Sequence, residues 1–405
     1  VNRIVVVGAS AAGLASVETL RREGFTGTIT LIGEELDAPY DRPPLSKQIL
    51  ASQWEPDRIA LRTAEQLAAL DLDLRRGVRA TGLDTAARSV ALSDGSDVEY
   101  DGLVVATGVR PRALAGGAGH VIRTLSDALE LRKRLRPGTR LTVVGAGFLG
   151  AECAAVARGL GCEVTLLEPA PVPLAHAVGE PVGRMLSAVH REHGVDLRTG
   201  VTVTAIVDAG ARLPDGTAIA DGGALHPDGT ATAHGGALLA DGTVVAADEV
   251  LVAVGSVPNT DWLDGSGLTV GDGVVCDEFC AAAPGVYAAG DVARWHNPLF
   301  GVDMRIEHRT NAAEQGMAAA RNLLGAGRPF APVPYFWSDQ YDLKIHAYGY
   351  LRGHDAVEIV DGSLDERRFL AAYHRDGRLV GALAVGMPPK AIRPWRQAIA
   401  SGGSL

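Results

Sequence analysis

Two glycine-rich turns, each set between an apolar run and a helix-like stretch, are the residues of this chain best suited to chemistry. The first is Gly8-Ala-Ser-Ala-Ala-Gly13, entered from Arg3 to Val7. The second, Gly145-Ala-Gly-Phe-Leu-Gly150, follows Leu141 to Val144 and has Gly147 where the first has Ser10. In such a turn the first glycine makes the bend, the second lets a pyrophosphate approach the backbone, and the third packs helix on strand. The phosphate charge then sits at the positive end of the helix. Ser10 is small enough to keep that approach open. An acid ends the next strand in both copies: Glu34 after Thr28 to Ile32, and Glu168 after Val164 to Leu167. A carboxylate there accepts hydrogen bonds from ribose hydroxyls. Pro169 and Ala170 follow Glu168, so a 2′-phosphate would meet negative charge with no guanidinium to receive it. NADH is therefore expected over NADPH. Two dinucleotide units imply two dinucleotides, and hydride chemistry pairs a nicotinamide donor with a flavin acceptor. The turn Gly290-Asp291 supports the flavin, because one carboxylate there can take a ribityl hydroxyl while the backbone faces the pyrophosphate.

Positioning these turns requires two βαβ units, and a chain of 405 residues has room for two or three domains. With 47% hydrophobic, 21% charged and 5% aromatic residues and 50 glycines, the composition is that of an α/β protein rich in tight turns. Asp101 to Gly108 (DGLVVATG) reads as a buried strand before Pro111, and Asp248 to Gly255 (DEVLVAVG) has the same form. The chain is thus expected to leave a first domain near residue 111 and return near 248, giving 1–111 with 248–330 as one domain and 112–247 as an insert. A repeat of period 13 lies at 213–251: LPDGTAIADGGAL, HPDGTATAHGGAL and LADGTVVAADEVL. That period is shorter than the roughly 20 to 50 residues of solenoid units. Each copy carries an Asp-Gly turn signal, so a tandem duplication of one hairpin is expected. After Pro329, Pro332 and Pro334 the texture changes to strand-like runs with glycine turns, and 331–405 reads as a small α+β domain.

Several classes fall away on composition. Thirty-eight Lys and Arg against 48 Asp and Glu give a net charge of −10, which disfavours nucleic acid as the main partner. The opening VNRIVVVGASAAGLA has the outline of a leader, but Gly8 and Gly13 fall where a strand turns into a helix. Neither export nor a membrane span is expected. The four cysteines, Cys153, Cys162, Cys276 and Cys280, make no disulfide framework and suit a reducing cytoplasm. Cys276 and Cys280 do not form CxxC and read as half-buried strand residues, and Asp37 to Lys47 holds no cysteine, so disulfide reduction is disfavoured. The 11 histidines form no metal constellation.

Over nearly its whole length the chain resembles the NADH-dependent ferredoxin reductases that serve oxygenases, the putidaredoxin reductase and biphenyl dioxygenase reductase group. Pro39-Tyr40-Asp41-Arg42-Pro43-Pro44-Leu45-Ser46-Lys47 is the most specific stretch, and Phe336-Trp337-Ser338-Asp339-Gln340-Tyr341 the second. The resemblance implies two Rossmann-like domains of the glutathione-reductase-like flavoprotein type, FAD in the first and NADH in the second, with the C-terminal domain beside the flavin. It implies FAD contacts from Gly8, Ser10, Ala12, Gly13 and Glu34, from Arg42, Lys47 and Ala80, from Thr107, Gly108 and Arg123, and from Gly290, Asp291, Arg309 and Trp337. NAD contacts are implied for Gly145, Gly147, Phe148, Leu149, Gly150, Glu152, Glu168 and Gly255. Arg42 and Arg123 would neutralise the FAD pyrophosphate, and Lys47 would favour the anionic reduced flavin. A buried lysine needs a partner, and the resemblance offers Glu152 as a flavin-side charge pair with no strict acid or base. Arg309 departs from the pattern, standing where relatives often carry an aromatic or apolar residue. It is expected to tune the flavin, to serve an acidic partner, or to bridge to a nearby carboxylate. The third repeat copy supplies the expected strand, leaving two copies as additional.

The expected reaction is electron splitting: NADH gives hydride to the flavin, which passes single electrons to an iron–sulfur ferredoxin supplying a cytochrome P450 or other oxygenase. A redox-state-dependent binding flavoprotein resembling the apoptosis-inducing factor, or a rubredoxin reductase, is the alternative. Ferredoxins are usually acidic, so a local positive rim is required. Arg309, Lys344, Lys390, Arg393 and Arg396 are the candidates, with Trp337 and Trp395 near them in sequence. A monomer or weak dimer in the cytoplasm completes the expectation.

Overall fold

The structure, a computed structural model, describes residues 1–116, 119–208 and 235–403. It divides into two compact units. One comprises Val1–Asp41, Asp57–Arg110 and Val257–Phe336; the other comprises Arg42–Pro56, Pro111–Ser256 and Trp337–Leu405.

In the first unit, Arg3–Val7 and Thr28–Gly33 are buried at every position but the first. That is what parallel strands need when both sheet faces are covered, and it explains why both are rich in β-branched residues. The sheet order is Ala281–Ala283, Val286–Ala288, Gly102–Val105, Arg3–Val7, Thr28–Gly33, Asp73–Arg76. All neighbours are parallel except the outermost pair, Ala281–Ala283 with Val286–Ala288. Helix Ala11–Arg22 lies against helix Arg309–Leu323 at Gly316, where a Cβ would overlap the carbonyl oxygen of Ala12. The Ser16 hydroxyl sits 2.9 Å from the Ala12 carbonyl oxygen and 3.0 Å from that of Gly316, tying the two helices together.

The second unit repeats the theme. Its parallel sheet runs Asp196–Thr199, Glu163–Glu168, Arg140–Val144, Glu249–Val252, with helix Phe148–Gly159 following Arg140–Val144. A separate antiparallel sheet runs Tyr335–Gln340, Leu343–Gly349, Arg378–Val385, Arg368–Arg375, Ala356–Ser363 and is followed by helix Pro389–Ser401. The result is the expected α/β class: two doubly wound sheets and a small α+β C-terminal portion. The third repeat copy forms a hairpin turn at Asp241-Gly242 and the strands Val244–Ala246 and Glu249–Val252. The first copy and most of the second lie outside the described residues.

Three expectations need correction. Asp248 to Gly255 does not return the chain to the first unit: Glu249–Val252 pairs with Arg140–Val144, from Leu141 opposite Glu249 to Val144 opposite Val252, and the crossing comes at Val257. Segment 42–56, expected in the first domain, belongs to the second unit, because its side chains bond to helix Phe148–Gly159 and to Arg123. Cys276 and Cys280 are buried rather than half-buried, and Cys280 is a turn residue at φ +65° rather than part of a strand. Among the described residues no helix is long and apolar enough to cross a membrane, and no group of His, Cys, Asp and Glu could hold a metal ion.

Strand Tyr335–Gln340 sits at a sheet edge, and its two buried side chains, Ser338 and Gln340, are polar. Buried polar groups need partners. Gln340 finds one in His190 of helix Glu180–Glu192: Nε2 of His190 donates to the Gln340 amide oxygen at 3.2 Å, while Nδ1 accepts from the Tyr341 hydroxyl at 2.9 Å. Burial drives the His190 pKa down from 6.5 to about 4, with the Gln340 bond opposing and the His193 charge assisting. Below the ordinary value the unfolded chain takes up a proton that the folded chain refuses, so this contribution is present above pH 6.5 and is lost as pH falls toward 4. Denaturation midpoints across that window should fall for the wild type by the equivalent of about 3 kcal/mol more than for His190→Gln; parallel curves would contradict the assignment.

Candidate functional site

Helix Phe148–Gly159 is alanine-rich, and its buried face comprises Gly150, Ala151, Cys153, Ala154, Ala155 and Ala157. Among them stands Glu152, 5% exposed. A carboxylate so placed is tolerated only with donors around it. Lys47 supplies one, its ammonium 2.7 Å from Oε2 and 3.2 Å from the Pro43 carbonyl oxygen. Lys47 is held by the 3₁₀ turn Pro43–Ser46, whose two leading prolines preset φ and give up no needed donor. The Ser46 hydroxyl donates to Oε2 at 2.6 Å, and the Ser338 hydroxyl donates to Oε1 at 2.6 Å. Both carboxylate oxygens are thereby engaged. The sequence reading named Lys47 and Glu152 but missed both serines, although each stands inside one of the two signature stretches and beside a residue already singled out.

The two glycine turns share one geometry. A Cβ at Gly8 would overlap the Ala106 carbonyl oxygen, and one at Gly145 that of Ala253; a Cβ at Gly13 would overlap Gly8, and one at Gly150 would overlap Gly145. The outer glycines are thus demanded by packing alone. Gly147 differs: its φ is −70°, and a Cβ there would meet nothing within 4 Å. No contact among the described residues requires glycine at that position. Neither helix has an acidic residue in its first turn or a side-chain cap, and both N-caps, Ser10 and Gly147, are extended. Glu168 anchors the second turn, accepting the N–H of Ala146 at 2.7 Å and of Ala170 at 2.9 Å. Phe148 and Leu149 are half-buried at the head of the helix, and Gly255 is exposed at φ +97°.

In the first unit, Gly290 lies at φ +78°, and a Cβ there would come 3.0 Å from that of Ala12, so the Gly-Asp turn abuts the start of helix Ala11–Arg22. The buried Gln315 amide oxygen accepts the Gly290 N–H at 2.9 Å. Thr107 donates to the Asn259 carbonyl oxygen at 2.8 Å, beside Gly108 at φ +66°. Ala80 is buried on strand Ala80–Asp84, Asp291 is half-buried, and Glu34 is exposed with Arg79 3.8 Å away. Arg309 is ion-paired with Asp41, so of the roles expected for it the bridge to a neighbouring carboxylate is the one seen. In the second unit, Arg42 donates to the carbonyl oxygen of Arg123, whose N–H bonds Asp127 at 3.0 Å, and Trp337 is half-buried. All four thiols are free and buried. Burial pushes Cys276 up to about 12 and raises Cys153 and Cys280 further still, so none presents a reactive thiolate.

Residues 2–316 match the pyridine nucleotide-disulphide oxidoreductase family. The chain belongs to that family. Residues 335–405 match the reductase C-terminal family. The chain is 36% identical to the ferredoxin–NAD(+) reductase component of the anthranilate 1,2-dioxygenase system of Burkholderia cepacia, covering 98% of this chain and 94% of that one. It is 35% identical to putidaredoxin reductase of Pseudomonas putida, over 96% of this chain and 89% of that one. Among solved structures, the covalent putidaredoxin reductase–putidaredoxin complex aligns with a TM-score of 0.88 at 34% identity, over 99% of this chain and 93% of that one. The ferredoxin reductase for the CYP199A2 system of Rhodopseudomonas palustris aligns with a TM-score of 0.88 at 31% identity, over 100% and 96%.

The cofactors are FAD and NADH. The residues present fit both: the uncapped, acid-free helix starts and the unobstructed Gly147 suit pyrophosphate, and the largely buried Lys47–Glu152 pair suits a redox group whose charge changes. Removing one member of that pair should be costly. Glu152→Ala leaves a largely buried ammonium, its side chain 11% exposed, without its carboxylate and should lower unfolding free energy by about 3 kcal/mol. Lys47→Met combined with Glu152→Leu should recover most of that loss in the same denaturant titration.

Proposed function

We propose that this chain is an FAD-dependent NADH:ferredoxin reductase that passes electrons from NADH through FAD to an iron–sulfur ferredoxin serving a cytochrome P450 or another oxygenase. The observation that carries the reading is that one helix, Phe148–Gly159, begins on the complete glycine turn and holds Glu152 against Lys47 within its first turns. Nucleotide binding and the buried charge pair are thus mounted on one rigid element. Bound FAD supplies the conversion of a hydride into electrons released singly, as an iron–sulfur cluster requires. The chain's own residues bind and orient. Gly8, Ser10, Ala12, Gly13, Gly290 and Asp291 would cradle FAD with Glu34, Ala80, Thr107 and Gly108, while Arg42 and Arg123 would meet its pyrophosphate. Gly145, Gly147, Phe148, Leu149, Gly150 and Gly255 would receive NADH, with Glu168 accepting from ribose and repelling a 2′-phosphate. Lys47 would face the flavin with its positive charge trimmed by Glu152, and Trp337 and Arg309 would border it.

On this reading the first unit is the FAD-binding domain, Pro111–Ser256 is the NAD-binding domain, and the reductase C-terminal portion is a third. A cytoplasmic location is supported by four thiols that are all unpaired. The docking surface for an acidic ferredoxin narrows within the expected set. Arg309 is paired with Asp41, and Lys344 with Asp339 at 2.9 Å. Lys390, Arg393 and Arg396 recur every three residues along helix Pro389–Ser401, which contains no acid; all three are exposed and none has an ion-pair partner among the described residues. Trp395 is half-buried between them.

The test is the visible spectrum of the purified protein before and after anaerobic NADH, followed by reduction of an added ferredoxin: a yellow protein bleached by NADH is expected, and a colourless one refutes the reading. Gly147→Ala should keep wild-type stability within about 0.5 kcal/mol yet bind NADH at least tenfold more weakly, by about 1.4 kcal/mol. Gly150→Ala, by contrast, should lose about 3 kcal/mol of stability through overpacking. Charge reversal of Lys390, Arg393 and Arg396 together should slow ferredoxin reduction about tenfold at low salt, with NADH reduction of the flavin unchanged. Rising salt should erase that difference between variant and wild type.

A further inference from the structure

We propose that Ser338 and Ser46 are positioning residues for the Lys47–Glu152 pair, and that through Ser338 the C-terminal portion of the chain sets the charge presented to the flavin. The inference deepens the reductase reading and rests on it. Its basis is the division of labour at the Glu152 carboxylate. Oε2 is shared between the Lys47 ammonium at 2.7 Å and the Ser46 hydroxyl at 2.6 Å, whereas Oε1 receives only the Ser338 hydroxyl, at 2.6 Å, among the bonds described. Glu152 and both serines are buried, at 5%, 4% and 0% exposure, so water is a poor substitute.

The sequence context of Ser338 argues that it is there for Glu152. On an edge strand the inward positions ordinarily carry apolar side chains, and here they carry Ser338 and Gln340. The Gln340 amide oxygen is taken by His190. Ser338 has no corresponding structural use; its hydroxyl is spent on one carboxylate oxygen. Lys47 in turn has a second acceptor, the Pro43 carbonyl oxygen at 3.2 Å, so its ammonium is held from two sides and is displaced if Glu152 turns. With all donors in place, the negative charge of Glu152 is spread over two hydroxyls as well as Lys47, and part of the lysine's positive potential is left for the flavin. Without Ser338 the carboxylate leans more heavily on Lys47. Less positive potential then remains, and a flavin that gains negative charge on reduction is less favoured.

The experiment is a double-mutant cycle read by the midpoint potential of the bound flavin, measured by dye-equilibrated titration, and by the anaerobic rate of flavin reduction with NADH. Wild type, Ser338→Ala, Ser338→Thr, Glu152→Gln and the Glu152→Gln/Ser338→Ala double variant are compared. Ser338→Ala should move the potential to a more negative value and slow reduction about tenfold, the scale of one lost charge-assisted hydrogen bond, with the NADH concentration for half-maximal rate unchanged. Ser338→Thr, which keeps the hydroxyl, should restore the wild-type potential. In the Glu152→Gln background Ser338→Ala should shift neither quantity further, because its effect passes through the carboxylate. An unchanged potential in Ser338→Ala, or an equal shift in both backgrounds, overturns the positioning role while leaving the reductase reading intact. A wild type that carries no flavin, or whose flavin NADH does not bleach, overturns the reading and this proposal together.

Discussion

A carboxylate and an ammonium can be buried together only if every remaining lone pair and proton is met, and the second unit is organised by that condition at Glu152 and Lys47. The pair draws on three separated stretches of chain: Lys47 and Ser46 from 42–56, Glu152 from the helix after Gly150, and Ser338 from the C-terminal portion. Each stretch would otherwise have reason to lie elsewhere. The proline-rich turn Pro43–Ser46 has no strand partner of its own in the sheet, and Ser338 lies on a sheet edge. Leaving either charge without the other is costly, so the segments that supply donors cannot leave the helix singly.

The duplication inside the chain works as an internal control on what each glycine is for. Gly8 and Gly145 collide with equivalent carbonyl groups, Ala106 and Ala253, and Gly13 and Gly150 collide with the first glycine of their own turns. These four are requirements of the strand-to-helix bend. The middle position is different in kind. It is Ser10 in one copy and Gly147 in the other, and Gly147 has no neighbour that a methyl group would strike. Packing among the described residues therefore does not account for glycine at that position, and on the proposed reading the dinucleotide would.

Much of this was legible in the sequence, for reasons that particular residues make clear. Buried parallel strands announce themselves as near-continuous runs rich in Val, Ile and Leu, so Arg3–Val7, Thr28–Gly33 and Arg140–Val144 could be read directly. Glu249–Val252 was equally visible as a strand, but hydrophobicity carries no pairing partner, and its place beside Arg140–Val144 rather than in the first sheet had to come from the structure. Lys47 and Glu152 were found as a pair through family likeness, not periodicity, since 105 positions separate them. Ser46 and Ser338 were overlooked because a serine has no patterned signature; its role appears only when the acceptor it faces is known. The cationic candidates show the same limit. Arg309 and Lys344 look in sequence like Lys390, Arg393 and Arg396, and only geometry reveals that the first two are already neutralised.

Family membership brings a name built on disulphide chemistry, yet this chain has put its sulfur out of use. Cys153 stands next to Glu152 on the same helix, inside the most electrostatically ordered part of the unit, and is fully buried with its thiol pushed far from ionisation by burial and by the adjacent carboxylate. A thiolate at that position would add a second negative charge beside one that already needs three donors. Suppressing it and balancing Glu152 are therefore one requirement rather than two. Cys280 is treated the same way in the first unit, packed beside Gln315, the residue that steadies Gly290. None of Cys153, Cys276 and Cys280 is placed to act as a thiolate relay for electrons within the chain. Helix Pro389–Ser401 contains no acid, and its exposed Lys390, Arg393 and Arg396 have no ion-pair partner among the described residues, on a protein of net charge −10.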